Sequence, residues 1–85
     1  MWRELILAAA MLATGIAQGA DAPGTITILE GDALVYRGAG RVHAAEGLRL
    51  ALGDIVETAA SGFMQVEFDN KSVAQLGPAT RIMVN

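Results

Sequence analysis

The side chains of this 85-residue chain that could do acid–base, nucleophilic or metal chemistry are few and isolated. The single histidine, His43, lies in Arg41-Val42-His43-Ala44-Ala45-Glu46, and the chain has no cysteine. A zinc site would need further histidine or cysteine ligands, and a Ser-His-Asp triad would need a positioned nucleophile. Ser61 and Ser72 lie outside any G-x-S-x-G context. We therefore interpret His43 as a surface or half-buried structural residue.

The carboxylates and glycines are likewise better explained by turns than by chemistry. Asp32, Asp54 and Asp69 each lie at a turn, and no D-x-D-x-D-G loop for calcium is present. Glu67 and Asp69 flank Phe68, an ordinary spacing on a solvated strand face. Gly38-Ala39-Gly40 is followed by neither a lysine nor a helix start, so it is not a phosphate loop. The sequence predicts no catalytic residue, no metal site and no cofactor.

Composition excludes two further classes of protein. Hydrophobic residues make up 53% of the chain, which is too apolar for intrinsic disorder. The net charge is −3, so the positive excess that phosphate neutralisation requires is missing and a nucleic-acid partner is not expected. Without cysteine, the sequence leaves the redox compartment undetermined.

The first 20 residues are typical of an export signal. Leu5–Ala17 is an uncharged apolar run preceded by Arg3. As a helix it would be about 20 Å long, short of a hydrocarbon core of roughly 30 Å. Small residues follow, so cleavage after Gly19 or Ala20 is expected. The alternatives are a buried helix of the folded domain or an uncleaved membrane anchor, and the prediction is a periplasmic or otherwise exported protein.

Residues 21–85 show short segments of period two, separated by Gly, Asp and Asn. This pattern predicts an all-β fold, a small β-sandwich or β-roll of about six or seven short, mostly antiparallel strands, preceded by the signal helix. The strand segments are 25–29, 33–37, 54–58, 63–68, 72–76 and 80–84, whereas 41–52 is ambiguous. The predicted turn residues are Gly31, Asp32, Gly53, Asp54, Asp69, Asn70, Gly77 and Pro78.

Two details of these turns and strands can be tested directly. Gly53 is expected at positive φ before Asp54, and Asn70 is expected to take the left-handed position of its turn. The predicted core consists of Ile26, Ile28, Leu34, Tyr36, Ile55, Met64, Val66, Phe68, Leu76, Ile82 and Val84.

Three segments in order resemble the FecR domain, a small periplasmic β-domain of ferric-citrate regulator-type proteins. Residues 24–37 match its opening β-hairpin. Leu50-Ala51-Leu52-Gly53-Asp54-Ile55-Val56-Glu57-Thr58 resembles the family's L-x-x-G-D-x-V-x-T. Residues 66–80, which contain Phe68-Asp69-Asn70-Lys71-Ser72 and Leu76-Gly77-Pro78-Ala79-Thr80, resemble F-x-D-G-S-x-x-x-L-G-P-x-T.

The resemblance implies a non-catalytic domain that binds a protein partner or relays a signal in the periplasm or envelope. The alternative is a structural envelope protein that binds peptidoglycan or another glycan. The family's closing strands have no counterpart before Asn85, and its anti-sigma members carry a preceding cytoplasmic segment, so a link to sigma factors and a complete domain both stay open. Segment 80–84 is then expected to be an apolar edge strand through which the chain self-associates.

Overall fold

The computed structural model describes residues 22–85, and these form two antiparallel four-stranded sheets without a helix. The signal segment predicted over residues 1–20 lies outside the described residues. The first sheet has the order β4-β1-β6-β7, with β1 (Gly24–Glu30), β4 (Arg49–Leu50), β6 (Phe63–Phe68) and β7 (Val73–Leu76). The second has the order β3-β2-β5-β8, with β2 (Ala33–Arg37), β3 (Gly40–His43), β5 (Ile55–Thr58) and β8 (Arg81–Met83). The predicted all-β class is confirmed.

The ambiguous segment 41–52 contains the end of one strand and the whole of another. β3 is exposed along its whole length, and β4 has only two residues. Neither shows the alternation of buried and exposed residues that identifies a strand in sequence. The six predicted segments all contain strands, and β3 and β4 raise the number to eight.

The opening β-hairpin that the resemblance implies is wrong. β1 pairs with β4 and β6, whereas β2 pairs with β3 and β5 in the other sheet. The chain crosses between the sheets at Gly31, which has φ of 75°. A Cβ atom there would lie 3.2 Å from Cα of Gly62, which follows β5. The connection from β1 to β2 therefore passes in close contact with the connection from β5 to β6. The turn at Gly31 does not fold β1 back onto β2.

The core lies between the inner faces of both sheets, and the sequence assigned the wrong face of β2 and β5 to it. Val35 and Val56 are fully buried, whereas Leu34, Tyr36 and Ile55 point outward and are half-buried. Both strands are apolar on both faces, so alternation could not decide which face packs inward. The fully buried set is Ile26, Val35, Leu50, Val56, Met64, Val66, Leu76 and Val84, and Phe68 and Ile82 are nearly so.

A β-bulge in β1 accounts for the other error in the predicted core. Ile26 pairs with Val66, but Ile28 pairs with Gln65, so the register shifts across Thr27. The extra residue turns Ile28 to the outer face, where it is 37% exposed, and turns Leu29 towards the core. Ile28 was predicted to be buried because strict alternation from Ile26 does not allow for a bulge.

Candidate binding face

The predicted turn residues lie at four separate connections and do not converge on one site. Gly31 and Asp32 lie between β1 and β2, and Asp69 and Asn70 lie between β6 and β7. Gly53 and Asp54 precede β5, while Gly77 and Pro78 lie between β7 and β8. Each pair serves its own turn.

The turn between β6 and β7 differs from expectation in its backbone. The left-handed residue is Lys71, with φ of 77°, so the assignment of that conformation to Asn70 is wrong. The carboxamide oxygen Oδ1 of Asn70 instead accepts hydrogen bonds from N and Oγ of Ser72, at 3.0 and 2.6 Å. This side-chain turn moves the positive φ one residue along the chain.

Asp54 has a larger role than capping its turn. Gly53 before it has φ of 93°, as expected, and Ala51 N donates to Oδ2 of Asp54 at 2.8 Å. Asp54 is also 2% exposed, and Arg37 at the end of β2 binds it through Nε to Oδ1 at 3.0 Å and through Nη2 to Oδ2 at 2.6 Å. Nη2 of Arg37 donates in addition to the carbonyl of Arg49 at 3.0 Å. Asp54 therefore fastens three segments together.

Charge and hydrogen bonding keep Asp54 ionised despite its burial. The hydrogen bonds from the Arg37 guanidinium lower the pKa of Asp54 below its ordinary value of 3.8, and they outweigh the desolvation that would raise it. The same contact raises the pKa of Arg37. The sequence did not identify Arg37 as a partner, because the two residues are far apart in the chain and meet only when β2 and β5 pair.

A second arginine–aspartate pair lies next to the first, because its Arg49 is the residue whose carbonyl accepts from Arg37. Arg49 in β4 binds Asp69 after β6 through Nη1 to Oδ1 and Nη2 to Oδ2, both at 2.9 Å. Both side chains are more than half exposed. The hydrogen bonds from Arg49 lower the pKa of Asp69. This pair joins β4 to the end of β6 at the surface.

The outer face of the second sheet is the largest feature that packing inside the described domain does not explain. The strand registers place side chains in two rows that each cross all four strands. One row is Arg41, Tyr36, Ile55 and Met83, and the other is His43, Leu34, Glu57 and Arg81. We call these eight residues the outer face. Its apolar centre is Leu34, Tyr36 and Ile55, with Glu57 beside them, and its margins carry arginine, histidine and Met83.

Contacts within the outer face hold its polar groups in place around the apolar centre. The hydroxyl of Tyr36 donates to Oε1 of Glu57 at 2.9 Å. The guanidinium carbon of Arg81 lies 5.6 Å from the centroid of the Tyr36 ring, within cation–π range. Neither Arg41 nor Arg81 forms an ion pair within residues 22–85. The face therefore presents an ordered tyrosine between two cationic margins.

A shallow groove of about 320 Å³ extends from one end of the outer face. Leu34, His43 and Glu57 form part of its wall, and the rest comes from 32–33 and 58–59. His43 is exposed here, as the sequence predicted for a structural or surface histidine. The groove continues the apolar centre of the face towards the crossing between the sheets.

The opposite surface, on the first sheet, has a different chemistry. Nε2 of Gln75 donates to Oε1 of Gln65 at 3.0 Å, and Nε2 of Gln65 donates to Oγ1 of Thr27 at 3.1 Å. This polar ladder runs across β7, β6 and β1. Its side chains use one another as hydrogen-bond partners, so the ladder is internally satisfied.

The described residues hold no candidate metal centre or membrane-spanning helix, and the chain resembles no known protein closely enough to match. Residues 22–85 contain no group of three or more His, Asp or Glu side chains that could hold a metal ion. No helix long and apolar enough to cross a membrane occurs in this part of the chain. Comparison with protein-family models, curated proteins and solved structures finds no match to this chain.

Proposed function

We propose that this chain is an exported, non-catalytic domain of FecR-like type that binds a protein partner or relays a signal in the periplasm or cell envelope. The observation that carries the proposal is the outer face of the second sheet. The signal-like segment Leu5–Ala17 and the three FecR-like motifs support export and the class of domain.

The chemistry of the outer face favours a protein over a small molecule or a nucleic acid. Leu34, Tyr36 and Ile55 are half-buried in the monomer and Met83 is 44% exposed, so a partner surface could remove apolar area from water. Aromatic, methionine and arginine side chains are those enriched at protein interfaces. The groove beside Leu34 is too open to enclose a small ligand.

The charges indicate the kind of protein surface that would fit. The chain carries a net charge of −3, yet Arg41 and Arg81 both lie on the outer face without an ion-pair partner in the described residues. The other arginines of the domain, Arg37 and Arg49, are paired with aspartates. A partner with apolar residues flanked by carboxylates would complement this face in both respects.

The test compares two opposite surfaces of the same protein. Purified protein is immobilised and exposed to envelope extract, and each retained protein is then measured for direct binding. Arg41→Glu and Tyr36→Ser change the outer face and are expected to reduce binding at least tenfold. Val73→Ser changes a residue that is 54% exposed on the first sheet and should leave binding unchanged. Equal retention by all variants would refute the proposal.

A glycan-binding envelope protein is the second candidate, and the polar ladder of Thr27, Gln65 and Gln75 favours it. Aligned amide and hydroxyl groups on a flat sheet suit hydrogen bonding to sugar hydroxyls. Sedimentation with purified peptidoglycan tests this function. Loss of co-sedimentation in Gln65→Ala and Gln75→Ala, with Tyr36→Ser unaffected, would support a glycan-binding function over a protein-binding function.

A further inference from the structure

β8 is an edge strand of the second sheet, and little within its own residues prevents a further strand from pairing with it. Among the other edge strands of the described domain, β4 has two residues and β3 begins at Gly40, whereas β7 contains no glycine, proline or charged residue and is no better protected than β8. Short length, glycine, proline and charge are the features that protect sheet edges. β8 contains neither glycine nor proline, and its one charged residue is Arg81.

The register of β8 shows which of its backbone groups point away from the sheet. Val56 pairs with Ile82, and hydrogen bonds run from Val84 N to Asp54 O and from Thr58 N to Thr80 O, both at 2.8 Å. In an antiparallel ladder, alternate residues direct N–H and C=O towards the same neighbour. The even-numbered residues 80, 82 and 84 therefore bond to β5, and the backbone groups of Arg81 and Met83 point outward.

We propose that two copies of this chain pair antiparallel through β8, about a two-fold axis at Ile82. In this register Arg81 of each copy lies opposite Met83 of the other. All outward N–H and C=O groups of these two residues then form reciprocal hydrogen bonds. The second sheet of one copy and the second sheet of the other then form one continuous sheet.

The side chains of β8 suit this self-pairing. Ile82 lies on the inner face and is 3% exposed, so its side chain stays within its own core, and the contact between the copies is made by the backbone and by Arg81 and Met83. On the outer face Arg81 lies beside Met83 of the other copy. Shifting the register so that Arg81 faces Arg81 would place two guanidinium groups opposite each other, which is unfavourable. Charge repulsion therefore favours the register centred on Ile82 over the register in which Arg81 faces Arg81.

Edge pairing does not depend on the proposed function, because it uses the rim of the sheet and not its outer face. It has one consequence for that face. Across the axis, the row of Tyr36, Ile55 and Met83 continues into Arg81, Glu57 and Leu34 of the second copy. The outer face would double in width and become two-fold symmetric.

Sedimentation equilibrium of the full chain tests the proposal, with proline as a probe of the outward N–H. Met83→Pro removes an N–H that β5 does not use, so the monomer should still fold while the measured mass falls twofold. Val73→Pro is the matched control: Val73 is the corresponding non-bonded position of β7, opposite Glu67. It should remain a dimer. A monomeric wild-type chain, or loss of the dimer only in Val73→Pro, would overturn the proposal.

Disulfide trapping tests the register even if the proline variant fails to fold. The chain has no cysteine, so each introduced thiol is unique. Opposed residues at a non-hydrogen-bonded pair lie about 4.5 Å apart between Cα atoms, within disulfide range. Ile82→Cys should therefore form a covalent dimer on mild oxidation, and Met83→Cys should not. The reverse result, or no cross-link in either variant, would contradict pairing at Ile82.

Discussion

Two arginine–aspartate pairs of this domain lie in surroundings that differ sharply. Each is bidentate, with the shortest contact at 2.6 Å for Arg37–Asp54 and at 2.9 Å for Arg49–Asp69. The side chain of Asp54 is 3% exposed, whereas that of Asp69 is 53% exposed. A buried carboxylate that loses its partner stays desolvated, while an exposed one regains water. Burial, more than the contact itself, decides how much each pair matters.

The turns beside the two aspartates show the same contrast. Asp54 follows Gly53, which takes positive φ without strain, and Gly53 N also donates to Val84 O at 2.6 Å. Two residues after Asp69, Lys71 holds positive φ with a side chain that disfavours it. The buried pair thus lies in a turn of low strain, and the exposed pair tolerates a strained one.

Removal of the two carboxylates gives the largest expected difference. Asp54→Ala leaves Ala51 N and the half-exposed guanidinium of Arg37 without their acceptor, and we expect the free energy of unfolding to fall by about 1–3 kcal/mol. Asp69→Ala removes an exposed pair and should have no measurable effect. Urea denaturation followed by circular dichroism measures both. Equal losses would show that burial does not distinguish the pairs.

Valine at two glycines tests the turn beside Asp54. A Cβ atom at Gly53 or Gly77 would meet no atom within 4 Å, so steric clash is absent at both. Only Gly53 has positive φ, and we expect Gly53→Val to cost roughly 1–3 kcal/mol, with Gly77→Val nearly neutral. Melting curves of the two variants provide the comparison. A neutral Gly53→Val would mean that this turn can change its conformation freely.

Acid should act on the two pairs in the same direction, but through Asp54 above all. The folded-state pKa of Asp54 lies below its ordinary value of 3.8, so the stability it confers is fully present above that pH. This stability is lost as the pH falls below 3.8 and through the folded-state pKa. Asp54→Asn should flatten that part of the stability–pH curve, whereas Asp69→Asn should leave most of it. A full acid transition retained in Asp54→Asn would assign it to other carboxylates.

The smallest expected effect concerns the strained turn beside Asp69. Lys71→Gly removes the side chain that disfavours φ of 77° and should raise the free energy of unfolding by up to about 1 kcal/mol. Asn70→Gly should not be stabilising, because Asn70 lacks positive φ and its side chain accepts hydrogen bonds from Ser72. Chemical denaturation of the two variants decides between these positions. Stabilisation by Asn70→Gly alone would restore the original assignment.

Sequence reasoning succeeded where one local pattern determined the structure. Glycine and aspartate turns separated six segments that all contain strands, and β6 and β7 pair across the turn predicted at Asp69 and Asn70. Sequence reasoning failed where the two faces of a strand are equally apolar and only packing decides which of them is buried. Leu34 and Val35 are equally apolar, so only the completed sandwich shows that Val35 faces inward. Three residues of the outer face, Leu34, Tyr36 and Ile55, were therefore assigned to the core.

Long-range partners were equally inaccessible from the sequence. Asp54 carries a local signal, since glycine before aspartate is typical of a turn. Arg37 carries none, because an arginine at a strand end usually extends into solvent. Its contact with Asp54 depends on β2 pairing with β5, which no short motif encodes.

The pairing of β1 has a consequence for the order in which this domain acquires structure. β1 is the first described strand to leave the ribosome, and its partners β4 and β6 both come much later in the chain. Until β6 has been synthesised, Ile26 cannot be enclosed, and β2–β3 is the local hairpin that can form first. Loops that long are costly to close, and we expect slow folding governed by the arrival of β6. A release from synthesis before Phe68 would leave a chain whose first strand has no sheet to join.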